Sequence, residues 1–269
     1  MITGCSSGIG LASARMLKER GWRVIAAARQ GEDLTRLSGE FGLEAVELEL
    51  ADSDSISRCM DEVTRLTDGK LFAVFNNGAY GQPGALEDLG ASAIRKQFEV
   101  NVFSAHEVTR RALPLMRANR EGRIVHCSSV LGLIAAPYRG AYCATKFALE
   151  AMADTMRLEL AGTGIFVSLI EPGPIDTRFL DHAMAAAHEN VDIKGSVHNE
   201  RYKAIIAAME KGGKQFFKLP PEAVAKKLVH AVESRRPRRR YYVTTPTYIV
   251  AAARRILPTS ALDWFAARN

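Results

Sequence analysis

The sequence predicts an α/β protein built on a doubly wound parallel sheet, and three observations lead there. Strand-like and helix-like segments alternate through most of the 269 residues. The segments between strands are long enough to carry the chain back for a parallel pairing. A glycine-rich turn follows the first strand-like segment and opens a helix, as expected where such a sheet meets a ligand.

Taken in order, the first strand is short. Only Met1, Ile2 and Thr3 precede the turn, whereas a strand usually has about five or six residues. Either the chain begins a few residues late or the sheet tolerates a shortened strand. Residues 22–28, 44–48, 71–75, 123–127 and 165–170 read as buried strands. Residues 9–20, 53–67, 91–118, 138–161 and 221–234 place apolar side chains at helical spacing. Residues 174–219 break the alternation, mixing Pro174, Gly195, Gly212 and Gly213 with Phe179, Met184, Phe216 and Phe217. We expect an insertion over the strand ends, acting as a substrate lid on a single domain spanning 1–269. Residues 246–269, with Ile249, Val250, Ile256, Leu257, Trp264 and Phe265 among Arg254, Arg255 and Arg268, form an amphipathic segment. It packs against the body or a second subunit, with peripheral membrane contact as the alternative.

The composition supports a packed core. Apolar residues make up 47% of the chain, charged residues 25% and aromatic residues 7%, which excludes disorder, collagen-like structure and a disulfide scaffold. The 36 Lys and Arg against 30 Asp and Glu give a formal charge of +6. The excess lies in the tail, where residues 201–269 carry 15 basic and 4 acidic side chains against 21 and 26 before them. Its densest part, Arg235-Arg236-Pro237-Arg238-Arg239-Arg240, is a solvated turn or an attractor of phosphates and anionic membranes. No nucleic-acid recognition motif accompanies it, so nucleic acid is not an expected partner. Cys5, Cys59, Cys127 and Cys143 lack paired spacing and the histidines form no short ligand pair, so no metal site is expected. No apolar run approaches about 18 residues, and a reducing cytoplasm is the simplest location.

Thr3-Gly4-Cys5-Ser6-Ser7-Gly8-Ile9-Gly10 lets backbone N–H groups approach a pyrophosphate at the positive end of a helix, the Rossmann-type arrangement. The end of the second strand selects the dinucleotide, because an acid there would hold a ribose 2′-hydroxyl and a cation a 2′-phosphate. Ala26-Ala27-Ala28-Arg29-Gln30 has no acid and offers the planar fork of Arg29. NADP(H) is therefore preferred over NAD(H).

Tyr142-Cys143-Ala144-Thr145-Lys146 places a phenol and an ammonium one helical turn apart. A cation at ~4 Å in an effective dielectric of about 20 offers up to ~4 kcal/mol, enough to lower a phenol by about three pKa units and make Tyr142 a general acid near neutral pH. Ser128-Ser129 follows the apolar run 124–127 at the end of a strand. Ser129 is placed to donate to a substrate carbonyl oxygen, while turn or capping duty suits Ser128.

Together these residues resemble the short-chain dehydrogenase/reductase family, whose single-domain members carry T-G-x3-G-x-G, N-N-A-G, Asn, Ser, Y-x3-K and a P-G turn in this order. The resemblance covers nearly the whole chain. It implies that Tyr142 is the proton donor, that Lys146 lowers its pKa and binds the nicotinamide ribose, and that Ser129 orients the carbonyl. Asn101 would hold a water for the proton relay. Pro172-Gly173-Pro174-Ile175-Asp176-Thr177 would lie beneath the nicotinamide, with Ile175 and Thr177 against its carboxamide. Glu49 and Leu50 would meet the adenine, Glu49 standing where an Asp is usual. One departure is clear, since N-N-A-G reads Asn76-Asn77-Gly78-Ala79 here. We expect Ala79 to keep an ordinary backbone conformation and Asn76 to lie against the adenosine, beside Gly78. Family members commonly form dimers or tetramers through their long helices, so a homodimer or homotetramer is implied.

Tyr80, Leu131, Leu133, Tyr138, Phe179 and Met184 are candidate apolar walls, and no cation is set to catch a substrate carboxylate. The strings at 5–10, 142–150 and 171–174 resemble the hydroxysteroid and retinol dehydrogenase branch and related bacterial aldehyde reductases. The expected substrate is a hydrophobic carbonyl compound or alcohol, such as an aldehyde, ketone, retinoid or steroid. The alternative is a catalytically silent NADP-binding sensor of the same fold, which the joint presence of Asn101, Ser129, Tyr142 and Lys146 disfavours.

Overall fold

The computed structural model describes residues 1–210 and 217–267. Seven parallel strands form one sheet: β1 (Ile2–Thr3), β2 (Ile25–Ala28), β3 (Glu44–Glu47), β4 (Ala73–Asn76), β5 (Gly122–Cys127), β6 (Ile165–Glu171) and β7 (Arg240–Tyr242). Their spatial order is β3-β2-β1-β4-β5-β6-β7. The direction of winding therefore reverses between β1 and β4, which opens a crevice at the C-terminal strand ends. All residues of β2 and β5 are buried, as expected of strands covered on both faces.

Two helical layers supply that cover. α1 (Gly8–Glu19), α2 (Gly31–Gly39) and α9 (Glu222–Glu233) pack on one face around Ala14, Leu17, Leu37 and Leu228. α3 (Ser53–Leu66), α5 (Ser104–Asn119) and α6 (Gly140–Glu159) pack on the other around Ile56, Val108, Met116 and Ala153. The segment expected as an insertion contains α7 (Phe179–Asn190) and α8 (Asn199–Glu210), and the chain ends in α10 (Thr245–Ile256) and α11 (Thr259–Ala267). Gly212, Gly213, Phe216 and Arg268 lie outside the described residues. Among the described residues no helix is long and apolar enough to cross a membrane.

Several elements depart from the sequence pattern for local reasons. The strand expected over 22–28 joins the ladder only from Ile25, because β1 is two residues long and pairs through Ile2 with Ala26 and Thr3 with Ala27. Met1 sits inside the sheet, its ammonium donating to the Ala73 carbonyl at 2.9 Å. The single helix expected over 91–118 is interrupted. α4 (Ala91–Phe98) passes through a π-turn (Glu99–Phe103) into α5, and Asn101 stands in the middle of that wider turn. α2 and β7 are additional elements, and β7 begins with the last arginine of the basic run.

Candidate active site

The glycine turn is built by close approach. Gly4 has φ +70°, and a Cβ there would come within 2.7 Å of Gly78 Cα. Gly8 has φ +55°, and a Cβ there would meet Thr177 Cγ2 at 2.9 Å. Positive φ and missing space together require glycine at both positions. A Cβ on Gly10 would collide with the Gly4 carbonyl, which closes the turn onto α1. Ser7 stands at the N-terminus of α1 without a side-chain capping bond, and the first turn carries no acid. The helix end thus presents its N–H groups to an anion without a competing carboxylate, which fits a dinucleotide pyrophosphate at Ser6, Ser7, Gly8 and Ile9.

Thr3 and Asn76 serve the scaffold. Thr3 is buried, and its hydroxyl accepts from the N–H groups of Asn77 (3.0 Å) and Gly78 (2.9 Å). It therefore ties β1 to the turn after β4. Asn76 is also buried, donating to Thr109 Oγ1 at 2.8 Å on α5. Its amide nitrogen is turned toward the helical layer. Strand alternation explains this, since Asn76 is the last paired residue of β4 and points to the α5 side. Asn77, which the sequence pattern alone did not single out, donates to the Thr3 and Gly4 carbonyls at 3.0 and 3.3 Å. Neither Gly78 nor Ala79 has positive φ, so the exchanged order carries no backbone strain. Leu50 packs over Gly78, with Cδ1 where a Cβ would fall.

At the end of β2, Arg29 is 65% exposed on its side chain and stands 3.4 Å from Glu49 Oε2. Glu49 also accepts from the Ala51 N–H at 3.0 Å. A second cation enters here unannounced, because Arg36 of α2 donates to the Ser6 carbonyl at 2.5 Å and to Asp33 at 2.7 Å. Its signal was hidden in a helix that the sequence pattern did not resolve.

The phenol and ammonium project from one face of α6. Tyr142 is 8% and Lys146 3% exposed. Lys146 Nζ donates to the Cys127 carbonyl at 2.7 Å, at the end of β5, and lies 5.5 Å from the centre of the Tyr142 ring. The ammonium is thus anchored to the sheet and sits by the Tyr142 ring. Burial pushes the Tyr142 phenol well up, while the Ser129 hydroxyl and the Arg139 guanidinium pull the other way. Burial thus favours the neutral, proton-bearing form of Tyr142. Burial also lowers Lys146, against the support of Cys127 and Glu150.

Ser129 follows β5, and its hydroxyl accepts from the Leu131 N–H at 3.1 Å. It caps the next turn, a duty expected of Ser128. Asn101 donates to the Tyr80 carbonyl (2.9 Å) and Thr145 Oγ1 (3.2 Å) and accepts from the Tyr80 N–H (3.1 Å). Its amide therefore ties the loop after β4 to α6 and is fully engaged. The Pro172 carbonyl accepts from Val130 N–H at 2.8 Å, and a Cβ on Gly173 would collide with Thr244 Oγ1. This seats the turn against Ser129's neighbour and the end of β7. Beyond it, Ile175 pairs with Leu219, and Thr177 reaches Gly8. Phe179 of α7 meets the Tyr142 ring edge-on at 5.5 Å. Among the other wall candidates, Leu133 is committed to packing with Val250 and Ala251, and Tyr138 to His198 and Tyr202. The structure thus brings Ser129, Tyr142, Lys146, Asn101 and the Pro172 turn together at the strand ends beside the glycine turn.

Comparison with known proteins agrees with this geometry. A family model described as short chain dehydrogenase matches residues 1–187. The uncharacterized oxidoreductase YbbO of Escherichia coli is 44% identical over 264 residues, covering 98% of this chain and 91% of that protein. Human 17-beta-hydroxysteroid dehydrogenase type 1 is 32% identical over 259 residues, covering 91% of this chain and 76% of its own length. A crystal structure of a short chain dehydrogenase/reductase from Burkholderia phymatum in complex with NAD superposes with a TM-score of 0.78 at 25% identity, covering 94% of this chain and 90% of that one.

Proposed function

The chain belongs to the short-chain dehydrogenase family of oxidoreductases, and from that premise we propose that it reduces a hydrophobic aldehyde or ketone with NADPH, the reverse oxidation using NADP. The observation that carries this reading is the buried, neutral Tyr142 phenol beside Ser129 and Lys146, at the crevice between the glycine turn and the Pro172 turn.

In this proposal the glycine turn and α1 receive the pyrophosphate, and Arg29, with Arg36 near it, receives a 2′-phosphate. A nicotinamide held between the glycine turn and the Pro172 turn would supply the hydride for the carbonyl carbon. Ser129 donates to the carbonyl oxygen and Tyr142 hands it a proton, because a phenol raised by burial still carries its proton at neutral pH. Lys146, fixed to the Cys127 carbonyl, offers its remaining donors to the ribose. Asn101 fixes the π-turn at which a relay water would be held. Phe179, with the half-buried Leu131 and Met184, gives the pocket an apolar side, and α7 serves as part of a lid. The hydroxysteroid named in the human relative supports a substrate of this kind. Exposed Phe147 and Leu158 on α6 and Phe103 beside α5 support assembly as a homodimer or homotetramer.

A screen of NADPH consumption against long-chain aldehydes, retinoids and ketosteroids tests the reading. Turnover with at least one class, faster with NADPH than NADH, supports it. Absence of turnover across all three with both cofactors overturns it.

A further inference from the structure

The arginine run ends in a side chain that is not in solvent. Arg240, the first residue of β7, donates through Nη1 to Glu171 Oε1 at 2.6 Å and to Glu150 Oε2, and through Nη2 to Asp154 Oδ2 at 2.6 Å. Glu171 is 0% exposed and Glu150 is buried with it. Asp154 also pairs with Arg157 at 2.7 Å, which leaves one guanidinium between the two buried glutamates and makes ionising both of them costly. Burial and the nearby Glu150 push Glu171 up to about 8, and burial raises Glu150 as well. Burial therefore resists ionising both glutamates at once.

This cluster touches the proposed active site at two points. Glu171 directly precedes Pro172, the start of the turn assigned to the nicotinamide. Glu150 lies one helical turn beyond Lys146 on the same face of α6 and supports its charge. Lys146 is otherwise faced by the Cys127 thiol and carbonyl and the His126 imidazole from β5, and by Tyr142 from its own helix. His126 is pushed down to about 4 by burial and so adds no positive charge at neutral pH. Glu150 is thus the carboxylate facing Lys146, and its own charge is set by Ser128, Asp154, Glu171 and Arg240 around it.

We propose that Glu150, clamped by Arg240 and Glu171, is a positioning residue that keeps Lys146 in its ammonium form and fixes α6 against the Pro172 turn. This rests on the reading of Lys146 as a participant in carbonyl reduction. The sign follows from the charges. Removing the Glu150 charge makes the ammonium less favourable, so the loss of Lys146's proton moves to lower pH. Neutralising Glu171 lets Glu150 ionise fully, so the same event moves to higher pH.

The test uses Glu150→Gln, Glu171→Gln and, as a control that removes a carboxylate outside the cluster, Glu62→Gln on α3, where Glu62 pairs with Arg65 at the surface. The Lys146 titration midpoint is read directly by NMR of 13C-lysine-labelled protein, its signal assigned by loss in Lys146→Arg. The basic limb of the pH profile of kcat/KM is read in parallel. The expected result is a downward shift of at least about half a pH unit in Glu150→Gln, an upward shift in Glu171→Gln and none in Glu62→Gln, consistent with a close charge in a poorly solvated site. A Lys146 midpoint unmoved in whichever glutamate variants fold overturns the proposal. If the parent reduces no carbonyl, the functional reading fails, while the NMR midpoint still decides whether Glu150 controls Lys146.

Discussion

Arg29→Ala separates the two nicotinamide dinucleotides by the one group in which they differ. Arg29 is 65% exposed and 3.4 Å from Glu49 Oε2. A unit charge about 4 Å from the guanidinium gains about 1 kcal/mol in water and up to ~4 kcal/mol at an effective dielectric near 20. Exposure puts Arg29 toward the watery end, at about 1–3 kcal/mol for a 2′-phosphate. Drawing the guanidinium from Glu49 returns part of this, since exposed pairs are worth about 0.2–1 kcal/mol. The net of about 1–2 kcal/mol predicts a loss of roughly 5- to 30-fold in NADPH affinity, with NADH changed by less than about twofold. Dissociation constants from reduced-nicotinamide fluorescence measure both. Raising the salt concentration should narrow the gap, because the pair is exposed. Glu49→Gln should move NADPH the other way, by about twofold, by releasing the guanidinium. Equal losses for the two dinucleotides in Arg29→Ala would refute the phosphate contact.

Two further perturbations read the scaffold. Gly4→Ala forces a side chain into φ +70°, 2.7 Å from Gly78 Cα. We expect a cost of about 2–4 kcal/mol from left-handed backbone and separation of the two turns, seen as a fall in Tm of roughly 5–15 °C with loss of dinucleotide binding; an unchanged Tm contradicts the packing described. His126 is buried and pushed down to about 4 by that burial. The unfolded chain takes up the proton near 6.5 and the folded chain only near 4, so stability is full above pH 6.5 and falls as the pH drops between these values, by about 3 kcal/mol in all. Urea unfolding of parent and His126→Gln at pH 7.5 and 4.5 should show a flatter dependence in the variant, and equal slopes would rule out this contribution.

Much of this architecture was legible because parallel strands and crossover helices write different periods into the chain. Gly4, Gly8 and Gly10 were readable since close backbone contact leaves glycine no substitute. Tyr142, Lys146 and Ser129 were readable because helical spacing and a strand end suffice to bring them together. What the sequence pattern concealed depends on partners distant along the chain. Asn76 and Asn77 look equivalent in a motif, yet strand alternation sends one to Thr109 and the other to the glycine turn. Spacing puts Lys146 near Tyr142, but the Cys127 carbonyl decides where its ammonium rests. The π-turn at Asn101 is invisible because its residues keep helical spacing on both sides. Arg240 looked like one more solvated arginine until β6 and α6 brought three carboxylates to it.

The central claim is that the neutral Tyr142 phenol delivers the proton in an NADPH-driven reduction. It is tested most directly by following NADPH oxidation at 340 nm with the best hydrophobic carbonyl for the parent and for Tyr142→Phe, with NADPH binding measured for both. The account predicts that the variant binds NADPH within about twofold of the parent while turnover falls by about 10²- to 10⁴-fold. Turnover above about a tenth of the parent rate, with the cofactor bound, would contradict it.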